Sequence, residues 1–223
     1  MNKSRIRQAA ACCVLLVSPA AVFADGSWSP VRSSLSVYGD YLNGADEQYG
    51  TNLTPTGGGG GAGLQFNLPR NFFIDGSYQY NYLHDSISGV GYGVKFDQAR
   101  GGGGMVFHIP QQPLDVFAKI EYVHFDNQVV SDGQQSERDN DDGVGYHIGV
   151  RTQQPGYALY ASGGWLQLAD NSGPEALLGA EMPLSPWVTG FAEYRYDYLR
   201  NNDNQDSNKL RLGDYRLGFR YAF

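Results

Sequence analysis

The sequence predicts an all-β fold, namely a closed antiparallel up-and-down β-barrel of about ten strands. Segments of about ten residues alternate between apolar and polar side chains, which is the pattern of strands with two different faces. Short proline-bearing breaks such as "NLPRN" and "TQQPG" separate some of these segments, because proline cannot donate to a sheet ladder and presets a turn. Long polar stretches separate the others. Short turns on one side and long loops on the other define a meander.

The predicted strands follow from these breaks in chain order. They cover residues 33–42, 58–68, 72–83, 99–109, 114–125, 143–152, 157–168, 174–182, 187–199 and 209–223. An even number of strands places both termini on the side of the short turns, as a closed antiparallel barrel requires. Eight strands would remain if the region 57–61 formed a loop and two short segments were not strands.

Glycine tracts precede two of the predicted hairpins. The stretches "GGGGGAGLQFNLPRNFF" and "RGGGGMVFHIPQQPLDVF" each run from glycines through an alternating strand into a proline turn and aromatic residues. This is a weak internal repeat of one hairpin unit. We expect the glycines to relieve crowding inside a narrow barrel or to allow its curvature.

The first 24 residues have the pattern of a cleaved signal peptide, with a basic start, a short apolar core and small residues before Asp25. The barrel domain would then be 25–223. The signal segment 1–24 holds three of the 16 basic residues and none of the 23 acidic ones. The barrel domain is therefore left with 13 basic and 23 acidic residues and a net charge near −10. Such acidity argues against nucleic acid as a partner. Both cysteines, Cys12 and Cys13, lie in this segment, so thiol chemistry is excluded from the exported chain.

The faces of the predicted strands favour a barrel that crosses a membrane. A bilayer offers no hydrogen-bond partners, so a spanning sheet must close, with an apolar outer face and aromatic residues at both interfaces. In the strand 187–199 one face carries Val188, Ala192, Tyr194, Tyr196 and Tyr198, and the other carries Thr189, Glu193, Arg195 and Asp197. A soluble β-sandwich or barrel is the alternative. The tyrosines at alternate positions of one strand face, which would be exposed to water, and the export signal argue against it.

The polar faces, if they point inward, fill the lumen with charges of both signs. The predicted lumenal charge network consists of Arg100, Lys119, Glu121, Arg151, Glu181, Glu193, Arg195, Asp197, Asp214, Arg216 and Arg220, with Asp75 beside them. Because both signs alternate across neighbouring strands, we expect cross-strand ion pairs. A barrel this narrow would be largely filled by these side chains.

The chain ends on an alternating row of aromatic and apolar residues, which are Tyr215, Leu217, Phe219, Tyr221 and Phe223. This row resembles the C-terminal assembly signature of Gram-negative outer-membrane barrels, which the barrel insertion machinery recognises. With the signal peptide and the meander, the chain resembles the small outer-membrane β-barrel superfamily that includes the OmpA transmembrane domain, OmpX and OmpW. The resemblance covers the whole chain after the signal peptide. The resemblance implies the fold, an outer-membrane location and a surrounding of outer-membrane lipid or lipopolysaccharide. It indicates almost nothing about activity.

Three functions are compatible with this pattern. The favoured one is a non-enzymatic, monomeric surface barrel with a structural or adhesion role, carried by acidic extracellular loops. These loops hold Asp132, Glu137, Asp139, Asp141 and Asp142 in one stretch and Asp203 and Asp206 in another, where divalent cations are possible partners although a solvated acidic loop is the simpler interpretation. The alternative is a narrow channel for small polar solutes. Bulky inward residues, among them Phe117 and Phe191, favour a plugged interior over such a channel.

An outer-leaflet hydrolase is the third and weakest hypothesis. His84 and Ser86 in "LHDS" resemble the His-x-Ser pair of lipid A deacylases, but the asparagine after the serine and the downstream glutamate are missing. The Asp-x-His pair of the omptin proteases is absent as well. His108 and His147 are expected on inward faces and His124 at the membrane rim. We therefore predict no cofactor, no metal site and no catalytic residue.

Overall fold

The computed structural model describes residues 32–48, 51–87, 90–131, 134–201 and 209–223. The predicted signal peptide 1–24 lies outside these residues, as do Asp132, Asp203 and Asp206. The described chain is built almost entirely from β-strands. Its helical content is one 3₁₀ turn at Pro69–Asn71. No helix in the described part of the chain is long and apolar enough to cross a membrane.

Ten long strands and one short one make up the fold. In chain order they are β1 (Ser34–Gln48), β2 (Thr51–Leu53), β3 (Thr56–Asn67), β4 (Phe72–Ile87), β5 (Val90–His108), β6 (Leu114–Ser131), β7 (Gln134–Gln154), β8 (Tyr157–Leu168), β9 (Asn171–Pro183), β10 (Val188–Asn201) and β11 (Lys209–Ala222). The short β2 pairs only with the end of β1. The ten long strands match the ten predicted ones. Because the glycine tract 57–61 lies inside β3, the eight-strand alternative is wrong.

The strands form a closed ring of antiparallel pairs. Each long strand pairs with the next one along the chain, and β11 also pairs with β1. This closing pair runs from Ser34 opposite Ala222 to Glu47 opposite Lys209. The first and last barrel strands therefore complete a continuous hydrogen-bonded wall, which satisfies their backbone groups without water.

The two ends of the barrel differ. The end at which β1 begins and β11 finishes, called the turn end here, has short connections at 68–71, 109–113, 155–156 and 184–187. Gly156 supports the tightest of them with a φ of 89°, a left-handed conformation that glycine adopts without strain. At the opposite end, called the hairpin end here, the strands run well past the predicted bounds. Asp139, Asp141 and Asp142, which we expected in a loop, lie within strand β7, because this acidic stretch pairs along its length with β6.

The outward face of the barrel is apolar around its middle. Its side chains are among the most exposed in the molecule, with Leu217 at 72% and Ile148 at 63%. Rings lie at both margins of this band, for example Trp187 and Tyr221 toward the turn end and Tyr41 and Tyr146 toward the hairpin end. An apolar band with aromatic margins is the surface expected of a barrel in a bilayer.

Large ring side chains on the inward face lie opposite glycines on the neighbouring strand. Seven direct cross-strand pairs have this form: Tyr38 with Gly61 and with Gly218, Phe73 with Gly104, Phe117 with Gly149, His147 with Gly164, Tyr160 with Gly179, and Phe191 with Gly218. A methyl group added at Gly61 would come within 2.5 Å of the Tyr38 ring, and one added at Gly179 within 2.2 Å of the Tyr160 ring. The glycines thus relieve crowding in a narrow lumen, as the sequence predicts.

Near the hairpin end, the apolar and polar faces of the strands exchange places. On β6, Ile120 and Tyr122 point outward within the apolar band, whereas beyond it the apolar side chains Val123 and Phe125 point inward and Asp126 points outward. Strands of 12 to 21 residues are longer than the roughly 9–11 residues that a tilted strand needs to span a bilayer. The switch marks the level at which the barrel leaves the apolar medium and continues into water.

Candidate functional site

The lumen contains the densest set of interacting charges in the described part of the molecule. All eleven members of the predicted lumenal charge network lie on inward strand faces, together with Asp75. From the turn end to the hairpin end, the lumen contains a turn-side cluster, then two groups of charges around Arg216 and Arg100, and then an apolar layer. The signal that places these residues is strand parity, because alternate side chains point to opposite faces of a sheet.

The turn-side cluster is centred on Glu181 of β9. Its carboxylate accepts a hydrogen bond from Arg151 Nη2 at 2.6 Å and another from Arg220. Glu193 of β10 accepts a hydrogen bond from the hydroxyl of Tyr160 at 2.5 Å. Four strands, β8 to β11, and the neighbouring β7 are therefore joined through side chains across the lumen as well as through their backbones.

Deeper in the lumen, Arg216 of β11 lies between strands from both sides of the closing pair. Its Nε donates to Asp214 Oδ2 at 2.7 Å, and it also donates to the side-chain oxygen of Gln79 on β4. The Gln79 amide nitrogen returns a hydrogen bond to Asp214 at 3.1 Å. The guanidinium carbon of Arg216 lies 5.0 Å from the centre of the Tyr38 ring, which is a cation–π distance. Gln79 was not among the predicted residues, although its parity matches that of Asp75.

The central cluster is built around Arg100 of β5. Its Nη1 lies 2.7 Å from Glu121 Oε1 and 2.7 Å from Glu175 Oε2, and its Nη2 lies 3.7 Å from Asp197 Oδ2. All four side chains are buried. Lys119 lies 2.6 Å from the other oxygen of Glu121. One arginine thus holds carboxylates from three other strands in the middle of the lumen.

Glu175 is a central residue that the sequence analysis missed. It lies on β9, six residues before Glu181 and therefore on the same face. The predicted strand 174–182 begins one residue earlier at Pro174, and Glu175 was not assigned to either face. The parity of Glu181 would have placed Glu175 in the lumen.

Glu121, His147 and Glu175 form the one group of potential metal ligands found among the described residues. Their ligand atoms all lie within 4.8 Å of one another. Both carboxylates, however, already contact Arg100, and Arg195 lies 3.8 Å from Glu175. A divalent cation here would lie beside two guanidinium groups and would have to displace one of them. The group fits a network of ion pairs better than a metal centre.

A layer of nine buried apolar side chains lies across the lumen on the hairpin side of the central cluster. It is called the apolar layer here and consists of Leu42, Leu83, Phe96, Val123, Phe125, Leu166, Leu168, Leu199 and Leu212. None of the nine is more than 6% exposed. The rings of Phe96 and Phe125 lie 5.6 Å apart between centres. The expected polar lumen is therefore only part of the interior, because the segment beyond the membrane band is packed like the core of a water-soluble barrel.

The outward face above the band carries paired charges. Arg138 of β7 donates through Nε to both oxygens of Asp126 on β6, at 3.0 and 3.2 Å. This guanidinium holds the pKa of the Asp126 carboxyl below its usual range. Asp142 accepts hydrogen bonds from Tyr122 at 2.5 Å and pairs with His124 at 2.6 Å, and these two bonds lower the pKa of its carboxyl. His124 lies at the rim, where parity places it.

The other candidate residues lie apart from the lumenal clusters. His84 is exposed on the outward side of β4, and its ring lies edge-on to Tyr82 at 4.4 Å. The side chain of Ser86 lies outside the described residues, as does that of Glu137. His108 lies near the turn end and pairs with Asp115 at 2.6 Å.

The five residues of the predicted assembly signature are outward: Tyr215, Leu217, Phe219 and Tyr221 lie on the outward face of β11, and Phe223 follows the strand directly. Each is at least half exposed. The terminal Phe223 packs edge-on against Phe66 of β3, with 6.0 Å between ring centres. The last strand thus presents one uninterrupted apolar row.

Comparison with known proteins supplies the family context. The model of the outer membrane protein beta-barrel domain family matches residues 10–155. No curated protein sequence matches the chain. The outer membrane protease OmpT from Escherichia coli is similar over 88% of this chain and 98% of its own, with 11% identity and a TM-score of 0.51. An outer membrane channel from Pseudomonas putida F1 is similar over 93% of this chain and 100% of its own, with 12% identity and a TM-score of 0.50.

The attachment invasion locus protein Ail of Yersinia pestis is similar over 86% of this chain and 100% of its own, with 15% identity and a TM-score of 0.43. Identities this low relate the proteins by fold alone. Since one of these structures is a protease and another a channel, the shared architecture does not specify an activity.

Proposed function

The chain belongs to the outer membrane protein beta-barrel domain family, and from this premise we propose that it is a closed, non-enzymatic barrel that acts through the surface it displays above the membrane. In this proposal the lumen transports nothing. The barrel anchors a set of strand hairpins, and the contacts that matter to the cell are made by those hairpins in a structural or adhesion role.

The apolar layer is the observation that carries this proposal. Nine side chains from seven strands meet inside the barrel with exposures of 6% or less, so water scarcely reaches them from either end. An ion crossing this layer would lose its hydration without receiving polar partners, which is the basis of hydrophobic gating in channels. The charged clusters below it are bound in pairs across the lumen and do not form a single-sign path.

The lengths of the strands support a role for the hairpin end. The strands β5, β6 and β7 have 19, 18 and 21 residues, against 12 in β8. They rise above the rest of the wall on one side of the barrel. We propose that the turn end faces the periplasm and that this taller wall faces the cell exterior, since the short connections lie at the turn end, as short periplasmic turns do in outer-membrane barrels.

Single-channel recording in a planar bilayer tests the closed lumen. The purified protein should insert and give no stable openings. A Phe96→Ala, Leu166→Ala double variant, which removes two large side chains from the apolar layer, should give openings or a leak current. A matched control is Leu159→Ala, because Leu159 is an outward residue of the same strand as Leu166. Stable, discrete openings in the unaltered protein would overturn the proposal and support a narrow channel.

Attachment of cells tests the surface role. Replacing the upper hairpin of β6 and β7, residues 126–142, by a short turn removes the tallest part of the wall and leaves the band and the lumenal clusters in place. We expect attachment to a host-cell or bacterial surface to fall while the barrel still assembles. Assembly is verified by the difference in gel migration between unheated and heated samples of the protein. Undiminished attachment with a correctly assembled barrel would contradict an adhesion role for this hairpin.

A further inference from the structure

Three buried oxygen atoms without hydrogen-bond partners lie in the lumen near the pair of strands that closes the barrel. They are Asp40 Oδ2 on β1, Asn81 Oδ1 on β4 and Asp214 Oδ1 on β11. The Asn81 side chain is 0% exposed and Asp214 is 4% exposed. This group is called the seam site here, because β1 and β11 form the closing pair. Buried polar atoms are normally hydrogen-bonded, so a group of unpartnered oxygens indicates that a bound group completes the site.

A glycine brings Asp40 and Asn81 together. In the strand register, Asp40 lies opposite Gly59 of β3, and Gly59 lies opposite Asn81. Because Gly59 has no side chain, the Asn81 amide reaches across β3, and its Nδ2 donates to Asp40 Oδ1 at 3.0 Å. A carboxylate only accepts hydrogen bonds, so the amide nitrogen faces Asp40 and the amide oxygen is the atom left without a partner.

Asp214 joins the seam site from the other strand of the closing pair. It lies opposite Leu42 in the register, two residues from Asp40 along β1, so the two carboxylates are diagonal neighbours on adjacent strands. They lie close enough to repel each other. Gln79, two residues before Asn81 on the same inward face, donates through Nε2 to Asp214 Oδ2 at 3.1 Å. The inward side chains of β4 are thus hydrogen-bonded to both carboxylates.

The apolar layer covers the seam site on its hairpin side. On each of the three strands, the next inward residue toward the hairpin end is a leucine of that layer. These leucines are Leu42 beyond Asp40, Leu83 beyond Asn81 and Leu212 beyond Asp214. The three oxygen-bearing side chains therefore lie at one level of the lumen, where bulk water scarcely reaches them.

The seam site has one more carboxylate than it has basic groups. Arg216 pairs with Asp214, with 2.6 Å between Nη2 and Oδ2. No ion pair found among the described residues involves Asp40, and the arginines of the turn-side cluster are already held by Glu181 and Glu193. A buried carboxylate without a compensating charge is strongly unfavourable. The site therefore requires one further positive charge.

We propose that the seam site binds one monovalent metal cation, for which sodium is the probe, through Asp40 Oδ2, Asn81 Oδ1 and Asp214 Oδ1. Carboxylate and amide oxygens are the ligands of hard cations, and one positive charge balances the two carboxylates and Arg216. The group around Glu121 differs, because Arg100 already contacts its carboxylates.

A metal ion satisfies the three oxygens better than a water molecule or a proton does. All three atoms are acceptors. A water molecule has two protons and leaves one of the three without a partner, and a proton on Asp40 donates a single hydrogen bond and leaves one as well. The inference goes beyond the proposed function, because the ion joins the first and last strands of the barrel to β4 beneath the apolar layer.

Unfolding by urea in detergent tests the seam site. The purified protein is unfolded in sodium chloride and in choline chloride at equal ionic strength, since choline is too large for the site but screens surface charges equally. We expect the equilibrium constant of unfolding to fall about tenfold for each tenfold rise in sodium concentration above half-saturation, which is the dependence for one bound ion. Asp40→Asn keeps the shape of the side chain but removes its charge, and it should abolish the sodium dependence.

The matched control is Asp75→Asn. Asp75 is an inward carboxylate of β4 that already pairs with Lys119 at 2.6 Å. This variant should lower stability and keep the sodium dependence of the unaltered protein. Sodium NMR of the unaltered, folded barrel gives a result even if Asp40→Asn does not assemble, because broadening of the sodium signal should saturate at one ion per chain.

Equal stability in sodium and choline, without saturable broadening of the sodium signal, would overturn the site. A sodium dependence that persists in Asp40→Asn would overturn the assignment of the ion to these oxygens. Stabilisation by calcium in place of sodium would overturn the single positive charge. A stability that changes with pH in choline and does not respond to sodium would identify a proton at Asp40 instead of a metal ion.

Discussion

Arg100 and Glu121 form a buried ion pair across β5 and β6, with 2.7 Å between Nη1 and Oε1. Breaking a buried pair by removing one charge leaves the other uncompensated, at a cost of about 3–5 kcal/mol. We expect Glu121→Gln to lower the free energy of unfolding by an amount of this order, measured by urea titration in detergent. The Arg100→Met, Glu121→Gln double variant should lose less than the sum of the two single changes. Full additivity would contradict a direct coupling between the two residues.

Gly61 should not tolerate a larger side chain. A Cβ at this position would come within 2.5 Å of both the Tyr38 ring and the backbone oxygen of Tyr78. Overpacking of this kind costs about 1–3 kcal/mol, so Gly61→Val should lower the free energy of unfolding by that order. Gly163 is the matched control, because nothing lies within 4 Å of a Cβ added there. Equal stability of Gly61→Val and Gly163→Ala would show that the ring does not need the space.

Asp126 should titrate below the ordinary range of an aspartate because Arg138 stabilises its charged form. A depressed pKa in the folded state means that the pair stabilises the hairpin end above the ordinary aspartate pKa, about 3.9, and that this contribution disappears as the pH falls through the folded value. The midpoint can be followed by NMR of the Asp126 carboxyl carbon. In Arg138→Gln it should rise toward the ordinary value. An unchanged midpoint would contradict the pairing.

Removal of Phe223 should reduce assembly of the barrel in cells. The resemblance of the last strand to an assembly signature predicts that its terminal aromatic residue is recognised by the insertion machinery. Deleting Phe223 should lower the amount of heat-modifiable protein in the outer membrane several-fold. Phe107→Ala, which alters an outward aromatic residue of β5 near the same end, is the control. Normal assembly without Phe223 would leave the signature without a role in this chain.

Ser86→Ala should leave the acyl pattern of lipid A unchanged in cells that produce the protein. His84 is outward and packs on Tyr82, away from the lumenal clusters, and the proposed non-enzymatic role assigns no nucleophile to this strand. Mass spectrometry of lipid A from cells with the unaltered protein, the variant and no protein makes the comparison. An acyl chain that is lost only when Ser86 is present would overturn the non-enzymatic assignment and identify a hydrolase.

Strand parity predicts most of the barrel because the bilayer imposes a simple rule. Inside the apolar band, outward residues are apolar and inward residues are polar, and this rule places Leu217 outside and Arg216 inside. The ten strands follow from it. The rule ends at the bilayer margin, so the predicted strand ended at residue 125 whereas β6 continues to Ser131. Beyond the margin water replaces lipid, so the outward residues become polar and the inward ones apolar. In the sequence, such a segment is easily taken for a polar loop.

The interior could be predicted only in part. Charged lumenal residues are recognisable one strand at a time, but their partners depend on which strands face each other across the lumen. The contact of Arg216 with Gln79 joins residues 137 positions apart. The apolar layer is likewise assembled from one or two residues of each of seven strands, so no single segment of the sequence displays it.

The pairing of inward rings with glycines has a consequence for how the sheet finds its alignment. Seven of the ten strand interfaces carry such a pair. At five of them, β1–β11, β6–β7, β7–β8, β8–β9 and β10–β11, the positions two residues before and after the glycine carry side chains. At these five interfaces, sliding one strand by two residues keeps every face correct but places the ring against a side chain, whereas on β3 the Tyr38 ring would meet another glycine of the tract. The isolated glycines therefore favour one alignment of the strands at these five interfaces, and the positions at which the sequence omits a side chain help to set the stagger of the barrel wall.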